Sequence, residues 1–341
     1  MIAQLSRALL SVLVVFISGV AAADEPAAGT PAPATSGTER AGAAERAEPV
    51  PLNKSGTILL DRTGKRLLLK TKVVCRECAL EMLLCKKQTK EHESILALDG
   101  QAYVIHTGLL ALGAEPGTPV QFVRPKPGGE PGEVIEDYRP PTGQKIEIYL
   151  QWTDDKGQPQ RVKAQEWMRY ATRRFYGAPL NALPQVKLPE DSDLRYDARN
   201  RELSWYGIMP EKQRDEFLAL SDNAAYQQAI RKLFKDSQVR PMKADFVFAG
   251  SSYYVDDDGN RFYQAESGDV ICVANFPTAL IDVAIPSTAS GETNLLFEGW
   301  TERIPPLEIE VLVELVPVFR DGKPVISGKE PPADAGADRQ P

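Results

Sequence analysis

Histidine and cysteine are scarce in this chain, with two of the first and four of the second among 341 residues. Any nucleophilic mechanism that needs an imidazole base must therefore use His92 or His106. HExxH is absent, as are the GxSxG, GxGxxG and Walker A patterns. That removes the zincin helix, the nucleophile elbow and the glycine-rich phosphate cradles. No run of Lys and Arg interleaved with aromatics occurs, and the formal charge is −7. Nonspecific nucleic-acid binding requires cations clustered against phosphates, so no nucleic-acid partner is expected. After the first two dozen residues no apolar run is long enough to cross a bilayer.

What is present begins with an address. Arg7 precedes an apolar run over residues 8–20, and Ala21-Ala22-Ala23 before Asp24 supplies an A-x-A cleavage site. Residues 1–23 read as a secretory signal peptide, with retention as an uncleaved anchor the alternative. A periplasmic or secreted protein is expected, with no transmembrane span after cleavage, in a compartment where disulfides are allowed. Residues 24–50 are rich in Ala, Pro, Gly, Thr and Glu and read as a disordered linker. Residues 328–341 read as a disordered tail.

Between these ends the pattern is mostly β. Residues 57–60 and 66–74 flank Asp61-Arg62-Thr63-Gly64, a turn in which Gly64 suits a positive φ. In residues 145–152, Ile146, Ile148, Leu150 and Trp152 share one face, and an Asp-Asp-Lys-Gly turn leads into residues 160–167. Further strands are expected at 245–255, 270–274, 279–285 and 308–316. In the last, Ile309, Val311, Val313 and Leu315 alternate with Glu308, Glu310 and Glu314, which predicts one wet face. Residues 102–112 predict a helix. Residues 170–241 begin irregular and turn helical, with Pro210 opening one helix and Ser221 or Asp222 capping a second that buries Tyr226, Ile230, Leu233 and Phe234. The fold class expected is α+β: a mainly antiparallel sheet over residues 51–327 with a helical-hairpin insert at about 170–241.

Chemistry-bearing residues crowd into residues 73–110, which hold Cys75, Cys78, Cys85, His92 and His106. Cys75-Arg76-Glu77-Cys78 is a CxxC motif, but it lacks the alternating β-α context of a thioredoxin, and a structural disulfide is the commoner fate in an exported protein. With Cys272, four cysteines allow three connectivities. If residues 66–74 and 80–85 form a hairpin, Cys85 lies roughly 15 Å along the ladder from Cys75. A disulfide needs Cα atoms within about 7 Å, so Cys75–Cys78 with Cys85–Cys272 is the preferred pairing. Cys85, His92 and His106, with Glu93 beside them, are chemically suited to Zn²⁺ or Fe²⁺, although their spacing matches no standard template. Asp256-Asp257-Asp258-Gly259-Asn260 starts like a calcium loop but has Ser267 at the twelfth position; an Asp-Gly hairpin turn is the better reading.

Several pieces occur in one order: Leu80-Glu81, Thr89-Lys90-Glu91-His92-Glu93-Ser94-Ile95, His106 with Leu109-Leu110, Pro141-Thr142-Gly143 and Ala164-Gln165-Glu166-Trp167. After the insert come Val247-Phe248-Ala249-Gly250-Ser251, Gly268-Asp269-Val270-Ile271-Cys272, Asn275-Phe276 and Thr301-Glu302-Arg303-Ile304-Pro305-Pro306. In these the chain resembles the YdjY-type domain of bacterial envelope proteins over about residues 73–315, the insert excepted. The resemblance implies no particular reaction. Cys78 and the length of the insert depart from the family pattern. The reading that results is an exported envelope protein, a non-catalytic binding or structural module for an envelope protein or ligand, with no cofactor predicted. The alternative is a metal-binding protein or a metal- or thiol-dependent enzyme centred on Cys85, His92, Glu93 and His106.

Overall fold

The computed structural model describes residues 48–123, 137–287 and 295–327. The segments expected as signal peptide and tail, and the expected linker up to residue 47, lie outside the described residues.

Eight strands form a closed ring. In chain order they are β1 (Arg66–Val73), β2 (Met82–Lys86), β3 (Ser94–Leu98), β4 (Gly143–Thr153), β5 (Phe246–Phe248), β6 (Ile271–Cys272), β7 (Ile281–Val283) and β8 (Glu310–Pro317). Around the barrel the order is β1-β8-β4-β5-β7-β6-β2-β3, and β3 returns to β1 through Thr71↔Leu98, Lys72↔Ala97 and Val73↔Leu96. The pairs β2–β3 and β6–β7 are parallel, and the other neighbours are antiparallel.

This corrects the α+β expectation. Among the described residues strand accounts for 37% and helix for 18%, and the sheet is a closed, mixed barrel. The strand that closes it, β3, is buried at all five positions and so shows no alternation of apolar and polar residues. Parallel neighbours are buried on both faces, which is why Met82–Lys86 and Ser94–Leu98 read as apolar runs. Because β3 lies between β1 and β2, the hairpin expected from residues 66–74 and 80–85 does not form. The antiparallel hairpin of Ile58–Asp61 with β1 does form. Its positive φ falls on Lys65, while Gly64 is required by closeness: a Cβ there would lie 2.4 Å from the Asp61 carboxylate.

Helix α1 (Ala102–Ala111) follows β3 after a short turn and buries Ala102, Ile105 and Leu109. Gly108 lets it approach the barrel closely, since a Cβ would meet Leu67 at 2.8 Å and Leu52 at 2.9 Å. The insert is more than a helical hairpin. Its irregular first half is a three-stranded antiparallel sheet of Phe175–Pro179, Glu202–Tyr206 and Arg195–Asp197. Helices α2 (Glu211–Leu218) and α3 (Ala224–Ser237) complete it, around a core of its own that includes Leu203, Trp205, Phe217, Tyr226 and Ile230. The cap of α3 is Asn223, whose side chain accepts from Tyr226 N at 3.0 Å, rather than Ser221 or Asp222.

Glu314 also departs from expectation. It is fully buried, because Arg66 and Arg161 from flanking strands close over it. Arg161 donates to both its oxygens at 2.9 and 3.1 Å, and Arg66 donates at 2.8 Å. Burial alone would raise the carboxyl pKa, but the two guanidinium groups outweigh it and hold the pKa below its ordinary 4.5. Stability from a depressed carboxylate is present above the unfolded value and is lost as pH falls through the folded one. Glu314→Gln is therefore expected to cost about 2 kcal/mol at pH 7, with the two guanidinium groups partly solvated. The gap from wild type should close as pH falls below 4.5, which denaturant titrations across that range would measure.

Candidate functional site

An open cleft of about 380 Å³ lies between α1 and the hairpin of Tyr253–Val255 with Arg261–Tyr263. The hairpin turn is Asp256-Asp257-Asp258-Gly259-Asn260, as its Asp-Gly pair suggests. Asp256 directs its carboxylate at the turn itself, accepting from Asp258 N at 3.1 Å, Asn260 N at 2.7 Å and Asn260 Nδ2 at 2.9 Å. Alternation along the strands sends Tyr263 inward, 8% exposed, and leaves Phe262 at 52% and Tyr254 at 54% facing solvent. Tyr253 is 55% exposed and Tyr103, on α1, 47%.

At the base of the cleft a relay fixes His106. Tyr263 Oη donates to Gly250 O at 3.0 Å, and His106 Nδ1 lies 2.8 Å from the same hydroxyl. The phenol has one proton and gives it to the carbonyl, so it accepts from Nδ1–H, and the imidazole's free lone pair is on Nε2. The ring packs edge-on against Phe248 at 4.9 Å and Tyr263 at 5.6 Å. Burial lowers the His106 pKa below 6.5, keeping the ring neutral at pH 7, and burial likewise pushes the Tyr263 phenol up. The Gly250 carbonyl is a second polar neighbour of the ring and partly offsets the effect of burial.

Charge at the cleft is divided between a committed and an open group. Glu266 accepts from Lys86 Nζ at 2.6 Å and from Tyr103 N at 3.0 Å, in the first turn of α1. Arg261 lies over the Tyr253 ring at 4.6 Å, and no carboxylate pairs with it among the described residues. The cleft thus presents aromatic faces, one neutral acceptor and one uncommitted cation.

A second polar cluster is closed. Lys90 Nζ lies 2.8 Å from Asp269 Oδ1, whose second oxygen accepts from Ser267 Oγ at 3.0 Å and from Thr278 Oγ1. Asp282, fully buried, accepts from Asn275 Nδ2 at 3.0 Å and Val283 N at 2.7 Å, and Asn275 Oδ1 accepts from Tyr138. Burial raises the carboxyl pKa of Asp282. Lys90 also covers the Phe276 ring at 4.6 Å. Burial first, and Glu93 second, push Glu81 up to about 7. The pieces around Glu81, Lys90, Asp269 and Asn275, far apart in sequence, meet here.

The structure does not bring Cys85, His92, Glu93 and His106 together. His92, with its side chain 78% exposed, has only Glu93 near it, Nε2 to Oε2 at 3.7 Å. Glu93 also faces Lys90 at 3.7 Å. Cys85 is buried in a small cluster with Met82, Ala97, Cys272 and Ala279. His106 serves the cleft. Among the described residues no three His, Cys, Asp or Glu side chains are grouped to hold a metal ion. Cys75 and Cys78 form a disulfide with Cα atoms 6.0 Å apart, as preferred from sequence. The other preferred bridge is not made: Cys85 and Cys272 are both free, their thiol pKa values raised by burial. Sequence reading missed Tyr253, Arg261, Phe262 and Tyr263 as a group. The signal available was a run of aromatics on both arms of an Asp-Gly turn, more apolar surface than a two-stranded hairpin can bury.

Fold and site together define a small mixed β-barrel domain carrying an open aromatic cleft. Residues 58–178 match the family model of the YdjY domain. The pieces quoted after residue 178 lie beyond the matched stretch. No curated protein and no solved structure matches the chain.

The Glu81–Glu93 pair yields a pH test. Well below pH 4.5 both the folded and unfolded chains hold the Glu81 proton; between 4.5 and about 7 mainly the folded chain keeps it. A raised carboxyl pKa therefore lowers stability progressively across that window, and the penalty is constant above it. Glu81→Gln is expected to match wild type in thermal melting well below pH 4.5 and to melt higher at pH 8. A lower melting temperature at both pH values would show that the carboxylate contributes more to packing than it costs.

Proposed function

We propose that this protein is an exported, non-catalytic binding module of the cell envelope, and that it takes its ligand in the cleft between α1 and the Tyr253–Val255/Arg261–Tyr263 hairpin. The observation that carries the reading is the exposure of Tyr103, Tyr253 and Phe262 around a half-buried, neutral His106. Exposed apolar patches with a few convergent polar groups mark binding surfaces. The tools in the cleft are those of recognition. Tyr263 has its proton committed to Gly250, Glu266 is held by Lys86 and Tyr103 N, and the Thr107 hydroxyl donates to Tyr103 O at 2.9 Å. Export is supported by the apolar run at residues 8–20 with its A-x-A site, and is consistent with the Cys75–Cys78 disulfide. Among the described residues no helix is long and apolar enough to cross a membrane.

A fragment screen read by amide and aromatic NMR shifts tests the assignment. Shifts are expected to concentrate at Tyr103, His106, Tyr253 and Phe262, and the double variant Tyr253→Ala/Phe262→Ala should abolish them. Because both side chains are about half exposed, its melting temperature should fall little. Fragments that settle elsewhere, or none that bind, would remove the reading.

A further inference from the structure

Resting on that reading, we infer that the ligand is a carbohydrate whose ring carries a carboxylate. Three features of the cleft restrict the chemistry. The first is the set of exposed faces of Tyr103, Tyr253 and Phe262. A sugar ring offers flat patches of C–H that stack on such faces while its hydroxyls remain at the rim, and aromatic side chains supply that surface at low entropic cost.

The second is His106. Its Nδ1 proton is directed at Tyr263, so Nε2 can only accept, and burial keeps it from protonating at neutral pH. A neutral imidazole lining the cleft can accept an O–H or N–H from the ligand. A hydroxyl-rich ligand supplies one, whereas a purely hydrocarbon or halogenated aromatic one does not.

The third is Arg261. Its guanidinium plane is held on Tyr253 at 4.6 Å, which presets the fork and leaves its N–H edge available. Guanidinium and carboxylate match as a bidentate pair, and no carboxylate of the described chain takes that position. The chain as a whole is acidic at −7, so an uncommitted arginine beside exposed aromatics is a local exception to the surrounding field. The volume of about 380 Å³ suits a small ligand or the end of an oligosaccharide rather than a folded partner.

Isothermal titration of the full-length mature protein with trigalacturonate, and with maltotriose as the neutral counterpart, tests the inference. Trigalacturonate is expected to bind at least tenfold more tightly than maltotriose, with the difference shrinking as salt is raised. Arg261→Gln should erase that preference and leave maltotriose within twofold, while Phe262→Ala should weaken both sugars. Both side chains are exposed, and an unchanged melting temperature verifies that each variant is folded. Equal affinity for the two sugars, or an acid preference that survives Arg261→Gln, overturns the inference. So does a protein that binds neither sugar while fragments of another class still map to Tyr103, His106 and Phe262; the binding-module reading then stands. If nothing binds in the cleft, both fall.

Discussion

The ion pair between Lys90 and Asp269 sits where the barrel is most demanding to close. The connection from β2 to β3 must return the chain to the same end so that two parallel strands can lie side by side. Such crossovers ordinarily take a dozen or more residues. Here residues 87–93 suffice, folded into a tight turn with Glu91–Glu93 as a single 3₁₀ segment. Lys90 anchors that turn to Asp269, which stands just ahead of β6, the strand on the other side of β2. Burial disfavours the lysine charge, but Asp269 outweighs it and raises the Lys90 pKa. One contact therefore ties the crossover to the neighbouring strand, and β3 is delivered in register to β1. Without that closure both β1 and β3 would present unpaired backbone along buried edges, which no soluble fold tolerates without cover.

Closure then decides where the cleft can be. Helix α1 leaves β3 after a short turn, so the direction of β3 sets the direction of the helix. Gly108 draws the helix onto Leu67 and Leu52, and that contact fixes its height on the barrel. His106 is thereby presented to Phe248 on β5 and to Tyr263, residues more than a hundred positions away in sequence. Glu266 holds the first turn of the same helix through Tyr103 N, and Lys86 at the end of β2 holds Glu266. The floor of the cleft is therefore part of the barrel, while its aromatic wall is a two-stranded hairpin standing off it.

Local features of this architecture were legible in the sequence, and non-local ones were not. Alternation marked β4 and β8, helical spacing marked α1 and α3, and Asp-Gly marked the hairpin turn at Gly259. Each of those signals is carried by residues close together in the chain. The parallel pair β2–β3 has no such signal, because burial on both faces erases the alternation that a half-buried strand displays. Glu314 looked like a solvent-facing residue, and only the arrival of Arg66 and Arg161 from separate strands makes it buried and ionised. The same holds for the site. His106 was visible as a candidate by residue type, but its partner Tyr263 is brought to it by the barrel. Cys85 and His92 shared its neighbourhood in the sequence and have quite different surroundings in the fold.

The contrast between the two polar clusters is what separates stability from function here. Around Asp269 and Asp282 most of the polar groups named face partners of the chain itself: lysine in an ion pair with carboxylate, asparagine between aspartate and tyrosine, hydroxyls on the second Asp269 oxygen. A network so largely paired within the chain can hold strands in register. In the cleft the Arg261 edge has no carboxylate partner among the described residues, and it stands beside aromatic faces that the hairpin leaves in water. A chain that satisfies Glu314 with two arginines has the means to cover one more. That Arg261 stays stacked on Tyr253 in a cleft that His106 also lines is the physical ground for the binding proposal.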